Sequence, residues 1–429
     1  MQFTLVTIGS AGDLFPFLWI GRALAARGHR VALLGPEQHA PYVEAAGLSF
    51  HGLPADPAVL DHPDLWHATR GLAVVWQATR PAMAQLPALV EALSNDKEHV
   101  LLAHPLALPE ADLCRRAQPA LKIAAAYLAP SNLPTVHDPL LLGPWPVPRW
   151  VPHSARRRLW RALAARFIDP VALPDLNRER AARGLAPVRS LIDYILGIAD
   201  LSLALFPDWF AAPPPDWPQP LHQAGFPLYD PAPDAAPSAE LRAFLDAGPP
   251  PVVFTPGTGN RQARAYFEAA AQAVNQLGLR AIFLTPHRDQ IASSLPPTIC
   301  WQDYVPLNAL LPHVAALAHH GGIGTTAEAL RAGTPQLVVP LAHDQFDNAA
   351  RVVALGAGAS LHAARVTPAR MAAALRRVVG VEQVTQRSAE IAQRFTAPPA
   401  IESLCNRLET LAHNQSFNPR GQIRKVDTN

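Results

Sequence analysis

Twice along this chain, short apolar runs rich in β-formers alternate with helical patterns, and a proline-dense stretch from Pro207 to Pro237 separates the two series. In the first, Phe3 to Ile8 reads as a strand and Gly9 to Asp13 as a glycine-containing turn. A helical pattern behind Pro16 then runs through Leu18, Ile20, Leu24 and Ala25 to Gly28. Proline early and glycine just past the end bracket a helix. His29 to Leu34, Val100 to Ala103, Ile123 to Tyr127 and Leu201 to Phe206 read as further strands. The second series gives strands at Val252 to Thr255, Ala281 to Leu284, Ala315 to His319 and Leu337 to Val339. Its helices are expected at Ala265 to Leu277, Thr326 to Arg331 and Phe346 to Leu355. Strand, loop, helix, strand is the signature of a parallel α/β sheet. Two such halves meeting at a linker leave a cleft between them, a common ligand site.

Length supports the division, because 429 residues exceed one ordinary core. A hydrophobic share of 49% is globular rather than disordered, and a net charge of +2 argues against bulk nucleic-acid binding. Cys114, Cys300 and Cys405 are scattered, which suits a reducing cytosol better than a disulfide framework. The opening MQFTLVTIGSAGD lacks a basic leader and reads as a strand. No apolar run approaches the roughly 20 residues of a membrane span, so a cytoplasmic protein, soluble or peripheral at the inner face of the membrane, is expected.

The segment richest in chemistry is AHHGGIGTTAEALRAGTPQLVVPLAHDQFDN, in which a strand ends at His319 and His320. The turn Gly321 to Gly324 leads into a helix expected to start near Thr325. Small residues let a ligand approach the backbone, and the free N–H groups at a helix start bind anions. Neighbouring histidines on a strand point to opposite faces, so they do not suit one shared metal. We expect His320 to reach a phosphate and His319 to pack. No Gly-Lys-Ser/Thr ending marks an ATP-hydrolysing loop.

This segment resembles the donor-binding signature of the nucleotide-sugar glycosyltransferase superfamily, which includes sterol, antibiotic and plant glucosyltransferases. The resemblance covers nearly the whole chain. It implies an α/β fold of the GT-B type, two Rossmann-like domains facing a central cleft with a last helix crossing back to the first. The expected division is an acceptor domain over 1–215, a linker over 216–237 and a nucleotide-sugar domain over 238–395. A crossing helix over 396–414 and a flexible tail over 415–429 complete it. By motif, His320 corresponds to the pyrophosphate-binding histidine, and Gly322, Gly324 and Thr325 to the phosphate cradle. Asp344 and Gln345 correspond to the pair on the sugar hydroxyls, and Glu328 to the ribose contact. WQDYVPLNALL, with Tyr304 and Val305, resembles the segment under the base, and Gly257 and Thr258 a second phosphate-side loop. Simpler alternatives remain open at this point: Asp344 as a helix N-cap, Glu328 as an acid favoured by the helix dipole, and Tyr304 as a core aromatic.

Transfer needs a base for the acceptor hydroxyl. Asp13, in a Gly-Asp-x-x-Pro setting after the first strand, is the candidate, with an N-cap role as the alternative. Gly12, Phe15 and Trp145 are expected on the acceptor side. No Asp-x-Asp motif for a divalent metal is present, so metal-independent, inverting transfer without a cofactor is expected. IGSAGDLFPF and LFPDWFAAPPPDWPQPLHQAGFPLYD are similar to the rhamnosyltransferases of bacterial rhamnolipid synthesis. That implies rhamnosyl transfer from dTDP-rhamnose to a 3-hydroxyacyl lipid acid. UDP-glucose and a sterol are the alternative pair; an epimerase or a non-catalytic partner subunit are others. Trp66, Trp76, Trp145 and Trp150 suit an apolar acceptor or simple core packing. Arg156, Arg157, Arg158, Arg161 and Arg166, among Leu159, Trp160, Leu163 and Phe167, form a basic amphipathic segment for a membrane or a docked surface helix.

Overall fold

The computed structural model describes residues 1–413 except 68, 95–97, 139–140, 143–144, 233–235 and 397–399; the expected tail over 415–429 lies outside them. Fifteen strands are described. β1 (Gln2–Val6), β2 (Arg30–Pro36), β3 (Ser49–Leu53), β4 (His99–Ala103), β5 (Lys122–Tyr127), β8 (Leu201–Ala204) and β9 (Leu221–Gln223) form one parallel sheet, in the order β3-β2-β1-β4-β5-β8-β9. β6 (Leu141–Leu142) and β7 (Trp145–Pro146) make a small antiparallel ribbon. β10 (Val252–Thr255), β11 (Ala281–Leu284), β12 (Ile299–Gln302), β13 (Ala316–His319), β14 (Gln336–Val338) and β15 (Gly358–Ser360) form the second parallel sheet, ordered β12-β11-β10-β13-β14-β15.

Both sheets are buried on two faces, as parallel sheets covered by crossover helices must be. β1, β4 and β10 are buried along their whole length, which is why they read as unbroken apolar runs. Strand order reverses between β1 and β4 in one sheet and between β10 and β13 in the other. Such switch points open a crevice at the carboxyl ends of the strands. Asp13 follows β1, and His320 follows β13.

Some expectations shift. The first helix is Ala11–Ala26, so Pro16 lies inside it and not in its first turn. Ser10 caps the helix six residues before the proline, whose missing N–H removes a single bond of the ladder. Residues 216–237 contain edge strand β9, and Phe226 packs among Trp209, Phe210 and Phe395 at centroid distances of 5.9, 5.1 and 6.0 Å. The prolines thus mark a path laid against both halves rather than an extended spacer. The last described helix, Ile401–His413, buries Leu404, Cys405 and Leu408 in the first domain's core. Arg27 Nε and His29 Nε2 each lie 2.8 Å from Glu409 Oε1 and fix that helix further.

Candidate active site

Asp13 is the third residue of its helix. The Ser10 backbone N–H donates to its Oδ2 at 2.8 Å, and its own N–H bonds the Ser10 carbonyl at 3.0 Å. The Asp13 carboxylate thus supplies the reach-back half of a capping box, and Ser10 and not Asp13 is the N-cap. Thr7 Oγ1 donates to the Asp13 carbonyl at 3.0 Å and ties the helix start to β1. Oδ1 has no partner among the described residues. Burial pushes the carboxyl up to about 6, against the Ser10 hydrogen bonds, which pull it down. A carboxylate with one oxygen fixed and the other free, titrating near neutrality, can take a proton.

Across the cleft, the helix Ile323–Ala332 begins two residues earlier than the glycines suggested, because Gly322 is its N-cap. Gly324 and Thr325 are therefore its second and third residues. The ladder's first bond comes from the Thr326 N–H to the Gly322 carbonyl, at 3.0 Å. The amides of Ile323, Gly324 and Thr325 stay outside it, aimed at the crevice. Ile323 packs against the first domain's core, which brings this helix start to the cleft wall that carries Asp13.

His319 and His320 separate as strand alternation requires. His319 is fully buried: its Nδ1 accepts from the Gly321 N–H at 3.1 Å and its Nε2 lies 2.9 Å from Gln336 Oε1. Burial lowers it to about 3, so it is a neutral strut for the turn. His320 sits between two glycines. A Cβ at Gly257 would come within 2.8 Å of its Cε1, and one at Gly322 within 2.5 Å of its Nε2. Gly257 also has φ +91°, a left-handed conformation that favours glycine. Burial lowers His320 to about 4, and its Nδ1 has no hydrogen-bond partner. An unpartnered, neutral ring nitrogen suits a ligand contact. Thr258 is exposed beside it.

Asp344 does occupy the N-cap of the helix Gln345–Leu355, but its side chain caps no N–H. Asn348 Nδ2 donates to its Oδ2 at 2.7 Å. Burial pushes Asp344 up to about 7; the Asn348 hydrogen bond opposes this, and the charge of Asp13 adds to it. The two carboxyls therefore share one cleft. Gln345 is buried differently from the expectation: its Oε1 accepts from the Leu341 and Ala342 amides at 2.8 and 3.2 Å. Only its Nε2 is left for a ligand. His343, just before Asp344, has φ 56° and lies 3.2 Å from the Leu65 carbonyl of the first domain.

Tyr304 is 53% exposed and so is no core aromatic, whereas Val305 is buried and offers only its backbone. Glu328 pairs with Arg331, yet burial keeps it raised. Asp230 and Glu328 both act electrostatically on Tyr304. Phe15, expected on the acceptor side, is half-buried on the first helix. It packs on Tyr42 and Tyr229 at 5.6 and 5.7 Å, an aromatic group that the distant numbering hides. Gly12 is exposed at the crevice; the side chain of Trp145 lies outside the described residues. Trp76 is core, 1% exposed, under Arg80.

Sequence reasoning missed the ties that close the cleft. Arg351 Nε holds Asp347 at 2.8 Å, its Nη1 donates to the Phe210 carbonyl at 3.0 Å, and its Nη2 meets Asp138. Arg261 pairs with Asp61 at 2.8 Å. The Asp344–Asn348 and Asp347–Arg351 pairs, each four residues apart on one helix, were readable from spacing; the contacts across the cleft were not. No group of three or more His, Cys, Asp or Glu side chains among the described residues converges as metal ligands would.

Comparison with known proteins agrees with this construction. Residues 3–107 match the glycosyltransferase family 28 N-terminal domain, and residues 275–411 the erythromycin biosynthesis protein CIII-like C-terminal domain. The O-mycaminosyltylonolide 6-deoxyallosyltransferase of Streptomyces fradiae is 31% identical, over 97% of this chain and 99% of that one. A sterol 3-beta-glucosyltransferase of Candida albicans is 24% identical over 95% of this chain, which spans 28% of that longer protein. Among solved structures, the kitacinnamycin glycotransferase has a TM-score of 0.72 at 23% identity, covering 96% of this chain and 99% of that one. The spinosyn rhamnosyltransferase SpnG with thymidine diphosphate has 0.65 at 22%, covering 95% and 100%. The fold is that of the two-domain GT-B glycosyltransferases. This protein belongs to the nucleotide-sugar glycosyltransferase superfamily, and within it to the family of the Streptomyces fradiae deoxyallosyltransferase.

Proposed function

We propose that this enzyme moves a hexosyl group, foremost rhamnosyl from dTDP-rhamnose, to a hydroxyl of a hydrophobic acceptor such as a 3-hydroxyacyl lipid acid. Asp13 takes the acceptor proton as the oxygen attacks the anomeric carbon. The amides of Ile323, Gly324 and Thr325, with an N–H of His320, bind the diphosphate and stabilise its growing charge as it leaves. Asp344 and the Gln345 Nε2 hold sugar hydroxyls, Tyr304 carries the base and Glu328 the ribose. Attack from the Asp13 side, opposite the diphosphate, inverts the anomeric centre. Neither a metal nor a further cofactor has a part.

The observation that carries this reading is the pairing, in one cleft, of Asp13 with an anion-binding helix start that supplies no charged side chain of its own. The named deoxysugar transfer of the Streptomyces fradiae relative and the thymidine diphosphate bound to SpnG support a deoxysugar on a thymidine carrier. Glucose from UDP-glucose and a sterol form the second reading, favoured by the sterol glucosyltransferase relatives. Product mass spectrometry with dTDP-rhamnose and UDP-glucose, each offered with hydroxyacyl and sterol acceptors, separates them. An altered nucleotide sugar without transfer would replace both with an epimerase. No product from any pair would leave a non-catalytic subunit.

A further inference from the structure

Between Asp138 and Asp169 the chain has six arginines and no acidic residue, although the whole protein carries only +2. One of the six is structural. Arg156 is 2% exposed, and its guanidinium donates to the carbonyls of Val136, Pro148 and Arg149. It anchors the helix His153–Leu163 and is that helix's one buried residue.

The other five, Arg149, Arg157, Arg158, Arg161 and Arg166, are exposed, and none forms an ion pair among the described residues. Spacings of three and four put Arg157, Arg158 and Arg161 on one helix face. Large apolar side chains close to them in sequence are also exposed: Trp150 is 83% exposed, Leu159 37% and Phe167 39%. Half of the six exposed large hydrophobics among the described residues thus fall within 18 residues of sequence, among guanidinium groups that form no ion pair there; one of these, Arg166, lies over the Phe167 ring at 5.3 Å.

We propose that this face rests on an anionic lipid bilayer. Arginines on the outer helix face meet the negative headgroups, and Trp150 and Phe167, which precede and follow the helix, enter the headgroup boundary. The position of this face fits as well. His137 meets His153 edge-on at 4.4 Å, and Asp138 meets Arg351, seven residues along the helix from Asp344. At about 1.5 Å per residue that is roughly 10 Å from the sugar-side carboxylate. A docked molecule keeps the cleft edge at the lipid interface, where an apolar acceptor is dissolved. Docking itself stands whether or not the proposed donor and acceptor are right, because it is read without substrate.

The test is co-sedimentation of the full chain with vesicles of phosphatidylcholine alone and of phosphatidylcholine with phosphatidylglycerol. Binding is expected only to the anionic vesicles, and it should fall at high salt. At ~5-fold per arginine, R157A/R158A/R161A should weaken it about a hundredfold. Trp150→Ala should weaken it several-fold with circular dichroism unchanged, and the triple arginine variant should keep its transfer to a water-soluble acceptor. Equal binding to neutral vesicles, no vesicle binding, or retention of a soluble acidic protein instead would each overturn the proposal.

Discussion

Two strand-to-helix turns face each other in this molecule, and they use the same geometry in opposite ways. After β1, the helix start is capped from within: the Asp13 carboxylate takes the Ser10 N–H, and what remains is an oxygen able to accept a proton. After β13, the helix start is stripped of side chains: Gly321, Gly322 and Gly324 leave the amides bare, and what remains is a site for negative charge. A helix N-terminus lowers the cost of an anion in both. In the first the anion is covalently part of the chain, and in the second it must arrive with a ligand. Whether a helix start becomes a base or a binding site is decided by who supplies the carboxylate or phosphate.

The sharpest way to break this comparison is Asp13→Asn. The amide oxygen still accepts from Ser10, so the helix start should survive, but the proton acceptor is lost. Transfer should fall about 10³-fold, within the range of general-base effects, with the dissociation constant for nucleoside diphosphate unchanged by calorimetry. Transfer that persisted near the original rate would remove Asp13 from the chemistry. On the opposite turn, His320→Ala should lower kcat by about 10²-fold, as loss of one donor to a developing anion does. Gly322→Ala would drive a Cβ into the His320 ring, and should weaken nucleoside diphosphate binding while leaving the fold intact. Tyr304→Ala should raise the dissociation constant by about tenfold, the lower part of the range for one base stacked on an aromatic, and Tyr304→Trp should restore it.

The pH dependence sharpens the contrast with the smallest effect. Protonated Asp13 cannot act as a base, so kcat/KM should decline as pH falls through about 6. The stability effect has the opposite sense. Because the folded carboxyl is raised from its ordinary 3.8, ionising it costs stability, increasingly as pH rises from about 4 to about 6 and constantly above that. Asp13→Asn should therefore raise Tm by a few degrees above pH 6 and leave it unchanged below pH 4. An equal shift at both pH values would mean that something other than the charge is responsible.

Much of this architecture was legible because parallel strands buried on both faces have to be apolar throughout. The sequence pattern places β10 and β11 at their observed bounds, Val252–Thr255 and Ala281–Leu284. β9 and β15 escaped, since three residues among prolines or between glycine and serine carry no periodic signal. The opposed histidines followed from strand alternation. The division of labour inside Gln345 did not, because only the folded loop brings the Leu341 and Ala342 amides to its oxygen. Likewise, Arg156 looked like one more cation in a basic run. Its burial depends on three carbonyls whose convergence no local pattern encodes.

The helix Ile401–His413 completes the hydrophobic interior of the half from which the polypeptide set out. Primary structure and architecture therefore disagree about where that half ends. A chimera exchanging acceptor halves between relatives at a single crossover would leave Leu404 and Leu408 of one parent seated against Phe17 and Leu24 of another. Two crossovers, with the carboxyl-terminal segment travelling alongside the amino-terminal portion, are the rational design.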